Sequence, residues 1–245
     1  MKVLSIGNSF SQDAQRYLHR IAAADGVQLK SVNLMIGGCP LRLHYLNSLD
    51  DKKAYGFEFN GEATGIAVSI REALESDEWD VVTLQQVSGQ SPKFDTYVPY
   101  LPEVAAYVKK YSPKSKIYIH QTWSYEQDSD RLCKELGYRE QADMFADVKE
   151  SYRKAAELIH ADGIIPSGQA MQNALKLGME KVHRDTFHAS LGFGRYLLGL
   201  TWYRVLTGND IAGNAFRDFD VSVTDEEIAI AKKAAAEAAA EYFNK

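Results

Sequence analysis

Strand-like apolar runs alternate with helical segments along almost the whole of this sequence, and that alternation most constrains its fold. A strand, a helix and a second strand close on one another most readily as a parallel pair with the helix packed across it. The pattern therefore predicts a parallel sheet of about five strands wrapped by helices. The expected strands are 3–6, 27–36, 81–85, 116–122 and the short 163–166. The expected helices are 14–24, 41–49, 68–75, 99–111, 141–160, 169–178, 189–206 and 224–243. In the first, Tyr17, Leu18, Ile21 and Ala22 share one stripe, and Gly26 closes it. The last opens on a capping box, with Thr224 as N-cap and Glu227 three residues on. Alternating aromatic residues over 55–59 run into Asn60-Gly61, a strong hairpin signal. Residues 124–139 are polar and irregular and read as a surface excursion. No repeat, low-complexity linker or composition break divides the chain, so one domain over 1–245 is expected.

Charge and composition exclude several classes. The net charge is −5, and no basic run exceeds the Lys52-Lys53 and Lys232-Lys233 pairs, so the basic stripe of a nucleic-acid binder is missing. No segment reaches the roughly 18–20 consecutive apolar residues of a membrane span. Cys39 and Cys133 have neither metal nor redox spacing and read as reduced thiols; the six histidines show no ligand spacing, so no metal is expected. The segment Met1-Lys2-Val3-Leu4-Ser5-Ile6-Gly7 is too quickly broken by glycine for a signal peptide. A cytoplasmic protein is expected, or a secreted one whose signal peptide has been removed.

In open α/β sheets the working residues stand just beyond the carboxyl ends of the strands. Gly7-Asn8-Ser9-Phe10-Ser11 falls at such an end. A serine there gains an exposed hydroxyl and the partial positive charge of a helix N-terminus. The same loop has plainer uses: Ser9 or Ser11 as a helix cap, or a phosphate cradle, although the extra glycines and Lys-Ser/Thr pair of a phosphate loop are missing. The second segment is Arg184-Asp185-Thr186-Phe187-His188. An Asp three residues ahead of a His lets one tight turn set a carboxylate against Nδ1, leaving Nε2 to take a proton from a serine. The plain alternative is a helix start, with Asp185 as N-terminal charge and His188 merely packed.

Taken together and in this order, the two segments resemble the SGNH (GDSL-like) hydrolases. The resemblance is tighter to a bacterial branch of that superfamily catalogued only as a domain of unknown function. It is carried by Gly7-Asn8-Ser9-Phe10-Ser11, Leu84-Gln85-Gln86-Val87-Ser88, His120-Gln121-Thr122-Trp123 and Ile165-Pro166-Ser167-Gly168. Arg184-Asp185-Thr186-Phe187-His188-Ala189-Ser190 and Gly194-Arg195-Tyr196 continue it, so that it spans Val3 to about Gly208. The resemblance implies a flavodoxin-like three-layer α/β/α fold and ester hydrolysis through an acyl-enzyme, with no cofactor. It implies Ser9 as nucleophile, His188 as general base and then acid, and Asp185 as the group that orients the imidazole. The oxyanion donors it implies are the Ser9 N–H and a glycine of Gly37-Gly38, since only glycine lets the main chain approach so closely, with Gly38 first and Gly37 as the fallback.

One block departs from the family. The usual Gly-x-Asn-Asp, whose Asn amide reaches the oxyanion, is replaced after the third core strand by Gln85-Gln86-Val87-Ser88-Gly89-Gln90. A glutamine amide offers the same kind of donor, so Gln85 or Gln86 is expected to complete the oxyanion hole unless both are solvated loop residues. Trp123 and Gln121 are expected at the substrate, the ring against a sugar and the amide on hydroxyls, with a core role for Trp123 as the alternative. Arg184 is expected either to hold a substrate anion or to brace the loop. The resemblance further implies removal of small acyl groups, O-acetyl above all, from a carbohydrate or other small ester. A lipid esterase or thioesterase would instead need an apolar acyl channel. A silent glycan-binding protein would have no use for Ser9, Asp185 and His188 together, and a flavin or nucleotide binder would leave Asp185 and His188 idle.

Overall fold

A computed structural model describes residues 1–243. Five strands form the parallel part of one sheet: β1 (Lys2–Gly7), β2 (Lys30–Met35), and, after the hairpin strands β3 (Tyr55–Phe59) and β4 (Glu62–Val68), β5 (Val81–Leu84), β6 (Lys116–His120) and β7 (Gly163–Ile165). The order across the sheet is β4-β3-β2-β1-β5-β6-β7. The sheet thus has seven strands rather than about five. The two additional ones are the hairpin around Asn60-Gly61, which pairs antiparallel with the outer edge of β2 through Val32 with Phe59 and Met35 with Gly56. The fold is otherwise the three-layer α/β/α expected.

The chain leaves β1 in one direction, through α1 (Ser9–Gln15) and α2 (Leu18–Ala24) to β2, then crosses back to β5 on the other side of β1. Right-handed crossovers put the connecting helices of these two excursions on opposite faces. The reversal leaves a crevice at the carboxyl end of β1, the usual location of an α/β binding site. On one face α3 (Leu41–Leu49) and α4 (Ile70–Glu75) pack with α5 (Tyr100–Tyr111), and α6 (Gln141–Leu158) follows β6. On the other, α7 (Ser167–Lys176), α8 (Phe193–Thr207) and α9 (Asp225–Phe243) join α1 and α2.

Local chemistry sets where these elements begin. The helix expected over 14–24 is two: α1 starts five residues earlier, at Ser9, because Asn8 caps it, Oδ1 accepting the Phe10 N–H at 3.0 Å, and α2 takes over at Leu18. Strand β2 begins three residues later than its apolar run because the Val27 N–H is used by the Ala22 carbonyl in the turn through Gly26. The capping box at α9 forms as read, with the Thr224 N–H donating to Glu227 at 2.8 Å and the Glu227 N–H to Thr224 Oγ1 at 3.2 Å. Helix α8 differs most from expectation. It starts at Phe193, and every residue in it except Arg195, Arg204 and Thr207 is buried, so it is a central core helix rather than an amphipathic one.

Helix α7 meets the end of β6 very closely. A Cβ on Gly168 would stand 2.2 Å from the Thr122 carbonyl oxygen and 2.6 Å from the Phe145 ring. Because one of these is main chain, it can yield only by moving the strand end. Gly168→Ala is expected to destabilise the fold by roughly 1–3 kcal/mol, the usual cost of overpacking. Urea denaturation of the two proteins checks this, and an unchanged midpoint would refute it.

Candidate active site

The loop between β1 and α1 answers the question of what Ser9 and Ser11 do locally. Asn8, not a serine, caps α1. The Ser11 hydroxyl accepts the Asn8 N–H at 3.1 Å and donates to Asn33 Oδ1 at 2.7 Å, so it is spent inside the protein. Ser9 is the first residue of α1 and half-buried. Its N–H belongs to the first turn, whose donors have no partner in the helix ladder.

Residues 183–189 form a closed turn ahead of α8. His183 and Ala189 bridge across it, the Arg184 N–H donates to the His188 carbonyl at 3.0 Å, and the Ser190 N–H to the Val182 carbonyl at 2.8 Å. Thr186 at its tip has φ of 77°, a left-handed conformation that costs a β-branched residue energy. The Glu126 N–H holds the Thr186 carbonyl at 2.7 Å and pins that conformation. The turn lets Asp185 grip His188 twice: Oδ1 accepts the His188 N–H at 2.9 Å and Oδ2 lies 2.8 Å from Nδ1. Nε2 of the same ring lies 2.8 Å from Ser9 Oγ, bridging 179 positions of sequence. Partial burial would raise the Asp185 carboxyl. The hydrogen bonds from the His188 ring and main chain outweigh it and hold the group below the ordinary carboxylate range.

Ser9 and His188 open into a cleft of about 530 Å³. Gly37 and Gly38 form one wall, and Val87, Ser88 and Gly89 a second. A Cβ on Gly38 would meet no atom within 4 Å, so glycine is favoured there by φ of 63° rather than by crowding within the protein. Phe187, Tyr125, Arg131 and Glu135 form the remaining wall. The last three come from the polar excursion 124–139, whose residues Arg131–Glu135 coil into one π-helical turn. Arg131 lies over the Phe187 ring at 4.2 Å, and Tyr125 Oη pairs with Ser88 Oγ at 2.9 Å. Sequence reading missed this wall because irregular polar segments have no periodicity. The one available signal was an aromatic beside the histidine.

Five residues expected in or beside the cleft are committed elsewhere. Gln85 is buried; its amide nitrogen donates to Asn8 Oδ1 at 2.8 Å and its oxygen lies 2.6 Å from His120 Nδ1. Gln86 is buried too. Its oxygen accepts the N–H groups of Leu41 and Val87, both at 2.9 Å, and its nitrogen donates to the Thr96 carbonyl at 3.0 Å. Neither amide lines the cleft beside Ser9, and neither is a solvated loop residue. Gln121 accepts the Gln169 N–H at 3.1 Å and donates to Tyr242 Oη, fixing the start of α7 and the end of α9. Trp123 is fully buried. It stacks on Phe10 at 4.0 Å and donates its Nε1–H to the Phe187 carbonyl at 2.7 Å, so it joins the serine loop to the histidine turn instead of meeting substrate.

Arg184 is the fifth, and it braces. Its guanidinium donates to both oxygens of Asp13 at 2.8 and 3.0 Å and to the Ala189 carbonyl. Asp13 has no exposed side chain and also accepts from Arg195 Nε at 2.8 Å. Removing the carboxylate would leave Arg184 without its closest ion-pair partner and Arg195 with Asp220 alone, though both guanidinium groups reach partly into water. Asp13→Asn is expected to cost roughly 2–3 kcal/mol, below the usual figure for a fully buried pair, read as a lower urea midpoint; an unchanged midpoint would show the brace to be dispensable.

Three imidazoles, His44, His120 and His183, are buried. Burial pushes His44 and His120 down to about 3 and His183 down to about 4, against an ordinary 6.5. In the window between these values the unfolded chain binds protons that the folded protein does not. Stability is therefore fully present above pH 6.5 and is lost as the pH falls towards about 4 for His183 and about 3 for His44 and His120. Each histidine contributes a slope of at most about 1.4 kcal/mol per pH unit. Urea midpoints at about pH 7 and about pH 5 test this: a lower value at acid pH is expected, and equal values would contradict it.

The profile of a family described as a domain of unknown function (DUF4886) matches residues 2–238. A DUF4886 family protein from Bacteroides uniformis ATCC 8492 is 33% identical, with a TM-score of 0.92 over 100% of this chain and 96% of that one. A candidate SGNH hydrolase from Slackia heliotrinireducens is 21% identical, with a TM-score of 0.61 over 84% of this chain and 98% of its own. An acetyl xylan esterase from Geobacillus stearothermophilus, in a variant form, is 15% identical, with a TM-score of 0.53 over 89% and 97%. No curated protein matches the chain. Among the described residues no helix is long and apolar enough to cross a membrane. The fold is that of the SGNH hydrolases, and the chain belongs to the DUF4886 family.

Proposed function

We propose that this protein is a serine esterase that removes small acyl groups, O-acetyl in the first place, from carbohydrate. The observation that carries this reading is the line from Ser9 Oγ to His188 Nε2 and, across the ring, from His188 Nδ1 to Asp185 Oδ2, both hydrogen-bond distances 2.8 Å, opening into a cleft. With Asp185 accepting at Nδ1, the imidazole presents a bare Nε2 to the serine. Ser9 Oγ attacks the ester carbonyl carbon while its proton passes to Nε2. The carbonyl π pair moves onto oxygen, where the Ser9 N–H at the start of α1 and the Gly38 N–H are the donors at hand. Collapse of that intermediate breaks the bond to the alcohol oxygen, which takes the proton from His188. Water then repeats the sequence on the acyl-serine, releasing the acid and restoring Ser9.

The shape of the cleft supports a short acyl group. Its walls mix Val87 and the rings of Phe10, Tyr125 and Phe187 with glycine main chain, hydroxyls and an Arg131–Glu135 pair, whereas a long acyl chain needs a channel that is apolar throughout. The shared fold with an acetyl xylan esterase is compatible with this and goes no further than the fold.

Acetate release from acetylated oligosaccharides, compared between the wild type and Ser9→Ala, tests the reading. A nitrophenyl ester series from acetate to octanoate runs alongside. Release that drops by roughly 10³-fold or more in the variant is expected. Turnover confined to the longer esters would select a lipid esterase or thioesterase. Absence of Ser9-dependent turnover on every ester would sink the enzyme reading and leave a glycan-binding protein of the same fold.

A further inference from the structure

A buried hydrogen-bonded line runs under the cleft along the carboxyl ends of neighbouring strands. Asn8 Nδ2 donates to the Cys39 carbonyl, just after Gly38, at 3.3 Å. Asn8 Oδ1 lies 2.8 Å from Gln85 Nε2, and Gln85 Oε1 lies 2.6 Å from His120 Nδ1. His120 Nε2 lies 3.0 Å from Ser167 Oγ, which accepts from Trp202 Nε1 at 3.1 Å. The participants lie at or just beyond the ends of β2, β1, β5, β6 and β7, in their order across the sheet, and end on α8, the helix after the histidine turn. All of them are at least 97% buried.

Every proton in this line has one consistent position. Phe10 can only donate, so Asn8 must turn Oδ1 towards it and offer that same oxygen to Gln85. Gln85 must then present its NH₂ to Asn8 and its carbonyl oxygen to His120, which requires a hydrogen on Nδ1. Burial keeps the ring neutral, so Nε2 is bare and accepts from the Ser167 hydroxyl. The remaining lone pair of Ser167 takes the Trp202 N–H, which can only donate. Two donor-only ends thus lock the whole chain in one arrangement.

We propose that Gln85 and His120 are positioning residues for the oxyanion hole: through Asn8 they fix the Ser9 N–H and the Gly38 turn relative to each other. Gln85 occupies the block from which the family's Asn reaches the oxyanion directly, and here the amide acts one residue removed. The inference rests on the esterase reading. A small displacement of donors in a preorganised site lowers the rate far more than the affinity.

The test uses nitrophenyl acetate with the wild type, Ser9→Ala, Gln85→Leu, Gln85→Glu, His120→Leu and His120→Asn, each checked for folding by its melting curve. Gln85→Leu and His120→Leu are expected to lower kcat by roughly 10–100-fold with KM within about threefold. His120→Asn keeps a donor towards Gln85 and is expected to recover most of the loss. Gln85→Glu keeps the size but, when ionised, sets an acceptor against Asn8 Oδ1; protonation restores a donor. Buried carboxyls titrate high, so its kcat relative to wild type is expected to rise severalfold from about pH 8 to about pH 5.5. A packing role alone would leave that ratio flat and give His120→Asn no advantage over His120→Leu. A flat ratio, no rescue, or folded variants with unchanged kcat would each overturn the proposal while Ser9→Ala still abolishes turnover. Turnover that survives Ser9→Ala would overturn the esterase reading itself.

Discussion

Polar groups at the buried ends of the parallel strands must find partners, and the arrangement of the cleft follows from how they do. Asn8, Gln85, Gln86, His120, Gln121 and Ser167 all lie at or just beyond strand ends, and all are buried. An unsatisfied polar group there would cost about 1–3 kcal/mol. Side-chain networks therefore join loops that are far apart in sequence. Gln86 ties the start of α3 to Thr96, Gln121 ties α7 to α9, and Gln85 ties the serine loop to β6. The floor beneath Ser9 and Gly38 is set by hydrogen bonding as much as by apolar packing.

Apolar packing supplies the other restraint, at the two loops that carry Ser9 and His188. Phe10 follows the serine, Phe187 precedes the histidine, and Trp123 stacks on the first while hydrogen-bonding to the main chain of the second. Beneath them Arg184 and Arg195 converge on the buried Asp13 of α1. The 2.8 Å approach of His188 to Ser9 is thus held from an aromatic side and an ionic side. Neither loop needs to be stiff by itself. Thr186 in its left-handed conformation shows that the fold can hold a locally unfavourable backbone where it positions a carboxylate.

Much of the fold was legible in the sequence. The alternation of apolar runs and helical stripes marks the five parallel strands, Asn60-Gly61 marks the hairpin, and Thr224 with Glu227 marks the last helix. That the hairpin would extend the sheet by two strands was not legible, because edge pairing depends on which strand end stands exposed after the crossovers are complete. Ser9, Asp185 and His188 were legible as a group because a serine at a strand end and a tight Asp-x-x-His turn, each weak alone, resemble the SGNH hydrolases when they occur together in this order. The roles of Gln85, Gln121, Trp123 and Arg184 were not. A polar or aromatic side chain at the functional end of a sheet can face the cleft or the core, and sequence spacing is the same for both.

What the sequence determined by itself is what short-range physics can determine: strand and helix periods, caps, turns, and the chemistry available at each strand end. Tertiary structure alone decided which of those groups meet. The distance from Ser9 to His188, the arginine pair on Asp13, and the line from Cys39 to Trp202 each join residues separated by many elements. Their geometry comes from the strand order β2-β1-β5-β6-β7 and from burial. Once a strand end is closed off from water, a side chain takes the partner the sheet brings beside it, and no local pattern records which partner that is.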